Sequence, residues 1–176
     1  MNCKKTNFFL LGCGLVLSVI FFVFCFFAYP WLMGFIQAGA QVPYVSIGTG
    51  EVDEVFRHRL ISAFSWGILG IAIGGAAILC NKAGTLKRGL TLFISLAFVA
   101  VATMVGGFFF LRYWLAYVAQ SLSEELGRAE VGIVLPFDTT RLYEVSFYAC
   151  VSVLIIAVFI REFNHWQARK VKIAPV

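Results

Sequence analysis

Four long blocks of apolar residues constrain this chain more than any other feature of its sequence. They lie at about residues 8–32, 60–80, 90–118 and 143–163. A bilayer core of about 30 Å needs about 20 helical residues to cross it, and each block reaches that length. Strands of a membrane barrel would alternate apolar and polar residues, and none of the blocks does so. The blocks predict an all-α membrane protein, a bundle of four transmembrane helices that forms a single domain over residues 1–176.

The distribution of charge predicts how the bundle is oriented. Charged residues make up only 13% of the chain, against roughly 25% in a soluble domain. If the N terminus is cytoplasmic, nine of the fourteen basic residues are cytoplasmic too, and eight of the nine acidic residues are outside. The positive-inside rule then predicts that both termini are cytoplasmic, in a bacterial inner (plasma) membrane. The net charge of +5 suits lipid headgroups, so the bilayer is an expected partner and nucleic acid is not.

The segments between the blocks are short. The two outer segments cover about residues 34–58 and 119–142, and a tight inner loop, NKAGTLKRG, joins the second and third blocks. Pro30 lies near the outer end of the first block, where we expect it to end the helix. Cys13 follows a Leu-Leu-Gly pattern that resembles a lipoprotein cleavage box. Apolar sequence continues past it, so we expect an uncleaved first span.

Small residues form a stripe along the second block. They are spaced by four, three, four and three residues, which places them on one helix face. The members of this stripe are Ala63, Gly67, Gly70, Gly74 and Ala77. In lipid no hydrophobic force drives helices together, and close backbone contact through small residues does so instead, as in the GxxxG pair Gly70 and Gly74. The stripe is therefore predicted to be a helix-contact surface.

The helix that meets this stripe is not defined by the sequence. One interpretation is that the stripe packs against the third block within the same bundle. The other is that it binds a second copy or another membrane protein. The third block has small residues on two faces, which leaves room for both interpretations. One face contains Ser95, Ala102 and Gly106, and the other contains Ala100, Thr103 and Gly107.

Charged residues that could serve a function lie only near the membrane edges. Arg112 ends the third block beside Tyr113 and Trp114. It is interpreted either as an interfacial anchor or, together with the acids Glu124 and Glu125, as a contact for an outer partner. The two histidines, His58 and His165, are predicted on opposite sides of the membrane. No metal site or cofactor is therefore expected.

The cysteines argue against an enzyme. Length and the four-span topology resemble the thiol oxidases that reoxidise periplasmic disulfide catalysts, a family that carries cysteine pairs in its outer loops. Here none of the five cysteines lies in an outer segment, so the active residues of that family are missing. They are Cys3, Cys13, Cys25, Cys80 and Cys150. Neither a Ser/His/Asp set nor a phosphate-binding loop is present, and we predict a protein that is not an enzyme.

Three functions remain open from the sequence. The first is a small non-enzymatic multi-pass subunit that assembles through helix-helix contacts into a homo-oligomer or a larger membrane complex. The second is a bacterial immunity or phage-defence membrane protein that recognises a partner in the bilayer. The third is a small transporter or channel subunit, for which the spans offer only scattered serine and threonine side chains.

Overall fold

The computed structural model describes residues 3–42, 45–48, 52–81, 85–126, 133–135 and 142–173. This part of the chain contains four long helices, α1 (Cys3–Gln37), α2 (Val52–Cys80), α3 (Leu86–Leu126) and α4 (Leu142–Ile173). All four include a stretch long and apolar enough to cross a membrane. The prediction of an all-helical protein with four apolar helices of membrane-spanning length is confirmed.

The helices extend beyond the apolar blocks that predicted them. α3 has 41 residues and is therefore about 60 Å long at 1.5 Å per residue, twice the thickness of a bilayer core. Its last turns, which include Glu124 and Glu125, are a continuous extension of the apolar part. The backbone hydrogen bonds of a helix can continue where the side chains become polar. The helices therefore end at other residues than the apolar blocks. Both predicted outer segments lie partly outside the described residues.

α2 is the central helix of the bundle. Over its most apolar stretch 56% of the residues are buried, against 28% in α4 and 17% in α1 and α3. α1 packs along one side of α2 and α4 along another, and α4 also packs on α3. The buried core includes Leu69 and Ile73 of α2, Leu96 of α3 and Val153 of α4. Many phenylalanines remain on the outer surface, as expected where lipid covers a helix.

A short parallel β-sheet joins the two segments that were predicted to be outer. Strand β1 (Val45–Ile47) pairs with β2 (Ile133–Leu135), with Val45 opposite Ile133 and Ile47 opposite Leu135. The chain between the strands contains α2 and α3, so the helical hairpin serves as the crossover that a parallel pair needs. A 3-10 turn (Ala38–Ala40) leads from α1 toward β1. The sequence analysis did not predict this sheet, because three-residue strands are too short to show a pattern.

Pro30 does not end α1, and that prediction was wrong. The helix continues for seven residues beyond it, to Gln37. Proline has no N–H, so the carbonyl of Phe26, four residues earlier, loses its helical donor. Arg59 of α2 replaces that donor: its Nε donates a hydrogen bond to the Phe26 carbonyl. The guanidinium carbon of Arg59 also lies 4.0 Å from the centre of the Phe26 ring.

Candidate functional site: helix contacts, outer arginines and an apolar groove

The small-residue stripe of α2 is covered by α1. A Cβ atom added at Gly70 would lie 2.3 Å from the backbone nitrogen of Ser18 and 2.6 Å from its Cα. At Gly74 it would lie 3.1 Å from the Cα of Gly14, and at Gly67 it would lie 3.5 Å from the Ser18 hydroxyl oxygen. At Gly70 the backbones of α1 and α2 therefore approach too closely for a side chain to fit between them.

The ends of the stripe are equally enclosed. Ala63 and Ala77 are both 0% exposed. The helix that meets the stripe is thus α1, whereas the sequence analysis considered the third block or a second molecule. Gly14 and Ser18, the residues of α1 that receive the stripe, were missed. Their four-residue spacing of small side chains was a signal that could have found them.

The two small-residue faces of α3 have different surroundings. Gly107 faces α4, where an added Cβ would lie 2.9 Å from Cγ1 of Val145, and Ala100 is fully buried. Ala102 and Gly106, on the other face, are exposed. An added Cβ at Gly106 would meet no heavy atom within 4 Å. Within the described part of the chain, this second face has no helix packed against it.

Arg112 lies where α3 meets the turn that leaves α1. Its guanidinium carbon is 4.5 Å from the centre of the Phe35 ring, a cation–π contact. A Cβ added at Gly39, in the 3-10 turn, would lie 2.8 Å from Cγ and 3.1 Å from the backbone oxygen of Arg112. Glycine at position 39 lets the turn cross α3 at this distance. Arg112 is thereby held half-buried, with its alkyl chain packed and its charged end against an aromatic face.

The structure does not bring Glu124 and Glu125 to Arg112. They follow it on the same helix by twelve and thirteen residues, a separation of about 18–20 Å along the axis. Both are exposed, and Gln120 Nε2 donates a hydrogen bond of 3.3 Å to the Glu124 carboxylate. The residues predicted as one outer contact group therefore lie in two places.

An apolar groove opens between α1 and α3, with α2 at its base. Its volume is about 580 Å³ and its lining is entirely apolar. Trp66 of α2 is 2% exposed, with ring centres 6.1 Å from Phe24 and 5.7 Å from Phe108. At the end of the groove closest to Arg112, Phe35 and Phe109 meet edge to face at 5.8 Å. Sequence reasoning missed this groove, because a high phenylalanine content does not say which aromatic faces meet.

The described residues offer little reactive chemistry. They contain no group of three or more His, Cys, Asp or Glu side chains placed to hold a metal ion. Cys13, Cys25, Cys80 and Cys150 are free thiols, and Cys80 donates a hydrogen bond of 3.3 Å to the Ala157 carbonyl. The side chains of Cys3 and His165 lie outside the described set. The arrangement offers an apolar groove and two arginine side chains, Arg59 and Arg112, that lie against aromatic rings.

Comparisons of this chain with protein-family models, curated proteins and solved structures gave no match.

Proposed function

We propose that this protein is a non-enzymatic integral membrane subunit that assembles through the open small-residue face of α3, in the first place with a second copy of itself. One observation carries the proposal. Gly106 is exposed and has open space where its side chain would be, and Ala102 lies one turn before it on the same face. A small residue every four positions on a lipid-facing helix is the pattern that lets another helix approach closely.

The residues around this face support a helix as its partner. Phe98 and Phe110 lie one turn before Ala102 and one turn after Gly106, and they are 73% and 65% exposed. Ala102 and Gly106 therefore form a recess between these two aromatic side chains. Glycine at a lipid-facing position costs a helix about 1 kcal/mol relative to alanine. A packed partner offsets that cost through van der Waals contact.

Replacing Gly106 by leucine tests this proposal. We expect the wild-type protein in lipid nanodiscs to form a dimer or higher oligomer. In Gly106→Leu the added side chain would fill the recess, and the dissociation constant should rise by about tenfold or more. Native mass measurement over a range of protein-to-lipid ratios gives the comparison.

Gly34→Leu is the matched control. Gly34 is also exposed, and a Cβ there would likewise meet no heavy atom within 4 Å, but it lies on α1. This variant should keep the wild-type oligomeric state. A monomeric wild-type protein, or an equal shift in both variants, would contradict assembly through α3.

The orientation with both termini cytoplasmic belongs to the same proposal, and its support is the charge asymmetry of the sequence. It predicts that a cysteine introduced at exposed Glu124 reacts with a membrane-impermeant maleimide in intact bacterial cells. A cysteine at exposed Lys87 should react only after the membrane is permeabilised. The reverse pattern would mean that the protein is inserted with its termini outside.

A further inference from the structure

We propose that the apolar groove between α1 and α3 binds an acyl chain of an anionic phospholipid, whose phosphate group is held by Arg112. This inference does not depend on assembly through α3. The groove uses Val105 and Phe108, whereas the open face uses Ala102 and Gly106. The two are neighbouring faces of α3: at about 100° per residue, Val105 lies about 60° from Ala102 around the helix, on the side away from Gly106.

The groove has the size and the apolar lining that one acyl chain requires. Its volume of about 580 Å³ is in the range of small-molecule sites, roughly 300–1,000 Å³. On α1 the lining extends from Ile20 to Phe35, about 22 Å along the helix axis. One leaflet contributes about 15 Å of hydrocarbon, half of the bilayer core. The groove is therefore long enough for a single chain that enters from the outer leaflet, and it offers that chain only apolar contacts.

The shape of the groove is held by aromatic side chains from three helices. Trp66 of α2 lies between Phe24 of α1 and Phe108 of α3, so its ring keeps α1 and α3 apart. Aromatic rings have few rotatable bonds, so little conformational freedom is lost when a ligand binds them. A preformed apolar site retains a chain longer than a flat helix surface does.

Arg112 places a positive charge at the mouth of the groove, beside Phe35. Phe35 lines the groove, and the same ring lies under the Arg112 guanidinium at 4.5 Å. No carboxylate among the described residues lies within ion-pair distance of Arg112. A guanidinium offers a planar fork of donors that matches a phosphate. A lipid whose acyl chain lies in the groove and whose headgroup lies at this mouth would bring its phosphate to Arg112. Among the described residues, Arg112 is the one cation beside the apolar lining.

A second protein helix fits the groove less well. An α-helix with its side chains is at least 10 Å across, so a 22 Å length occupies about 1,700 Å³. That is about three times the volume of the groove, so a helix could enter it only in part. A helix would also have to carry an acid at the depth of Arg112 to match its charge. Phospholipid supplies both the apolar chain and the anion.

Lipid binding to three variants tests the proposal. Delipidated protein would be titrated with phosphatidylglycerol or with phosphatidylcholine of the same chains, and bound lipid counted by native mass spectrometry. We expect one phosphatidylglycerol to be retained in preference to phosphatidylcholine. Arg112→Gln should weaken its binding by at least about tenfold, whereas Arg112→Lys, which keeps the charge but not the planar fork, should weaken it less. Arg57→Gln, which removes an exposed outer arginine from α2, should have no effect.

A further substitution addresses the groove itself. Val105 lines it and is 48% exposed, so Val105→Trp can fill it without disturbing the core. We expect this variant to fold and to lose retention of both lipids. In a variant in which Trp66 is the single tryptophan, phospholipid with brominated chains should quench the fluorescence of Trp66. Val105→Trp would add a second fluorescent residue, so this variant should be tested by mass measurement alone.

Two results would overturn the proposal. The first is equal, weak binding of both lipids that neither Arg112→Gln nor Val105→Trp changes, which would mean ordinary boundary lipid. The second is a dimer that dissociates in Val105→Trp while lipid retention is unchanged, which would place a second copy in the groove. Thermal unfolding of each variant would be measured alongside. If Arg112→Gln does not fold, the preference of the wild-type protein for phosphatidylglycerol over phosphatidylcholine remains the test of the charge.

Discussion

Gly70→Leu is expected to prevent α1 from packing on α2 and to leave almost no folded monomer. A Cβ at position 70 would lie 2.3 Å from the nitrogen and 2.6 Å from the Cα of Ser18, and 2.8 Å from the carbonyl carbon of Leu17. All three are backbone atoms, so no side-chain rotation can relieve the overlap. Overpacking of a core costs about 1–3 kcal/mol when side chains can move, and here a helix must move. The measurement is the yield of monodisperse protein and its thermal unfolding in detergent.

Gly75→Leu is the control for this prediction. Gly75 lies on the same helix, and a Cβ there would meet no heavy atom within 4 Å. Both variants replace a glycine of α2 by leucine and change the freedom of the backbone in the same way. Only Gly70→Leu creates an overlap, so we expect Gly75→Leu to have wild-type stability. If Gly70→Leu were as stable as Gly75→Leu but lost an oligomer, the stripe would be a surface between molecules rather than a contact with α1.

The number of membrane-length helices and their apolar stretches could be predicted from the sequence. The physical reason is strong: an apolar segment in lipid must satisfy its backbone hydrogen bonds internally. The stripe on α2 was also visible as a contact surface, since small residues at helical spacing have few other uses in lipid. Its partner was not, because a pattern on one helix says that some helix comes close without saying which. Only Gly14 and Ser18, read together as a second short stripe, pointed to α1.

The rest depends on contacts between residues distant in the chain. The role of Arg59 was not visible in the sequence. Phe26 lies 33 residues from it in the chain, and nothing near Arg59 shows that it reaches the Phe26 carbonyl, which Pro30 leaves without a helical donor. The β1–β2 pair and the groove also depend on contacts between distant segments. Each requires two segments whose sequences, taken alone, look like a loop or like any lipid-facing helix. Arg112 was identified, but its aromatic neighbour Phe35 was not.

Removing the Arg59 hydrogen bond is expected to have the second large effect, and its size should depend on Pro30. In Arg59→Met the Phe26 carbonyl would keep neither a helical donor nor the guanidinium. A buried polar group left without a partner costs about 1–3 kcal/mol. Arg57→Met, an exposed arginine two residues earlier on α2, should cost much less. Unfolding in detergent with increasing denaturant measures both.

Combining Arg59→Met with Pro30→Ala separates the hydrogen bond from the cation–π contact. Alanine at position 30 restores an N–H that can donate to the Phe26 carbonyl within α1. Arg59→Met should therefore cost less in the Pro30→Ala background than in the wild type, and the difference is the coupling energy of the two residues. Equal costs in both backgrounds would mean that Arg59 stabilises the bundle through the Phe26 ring alone. In that case another group satisfies the Phe26 carbonyl. The Arg59 guanidinium then contributes its contact with the Phe26 ring and does not replace a backbone donor.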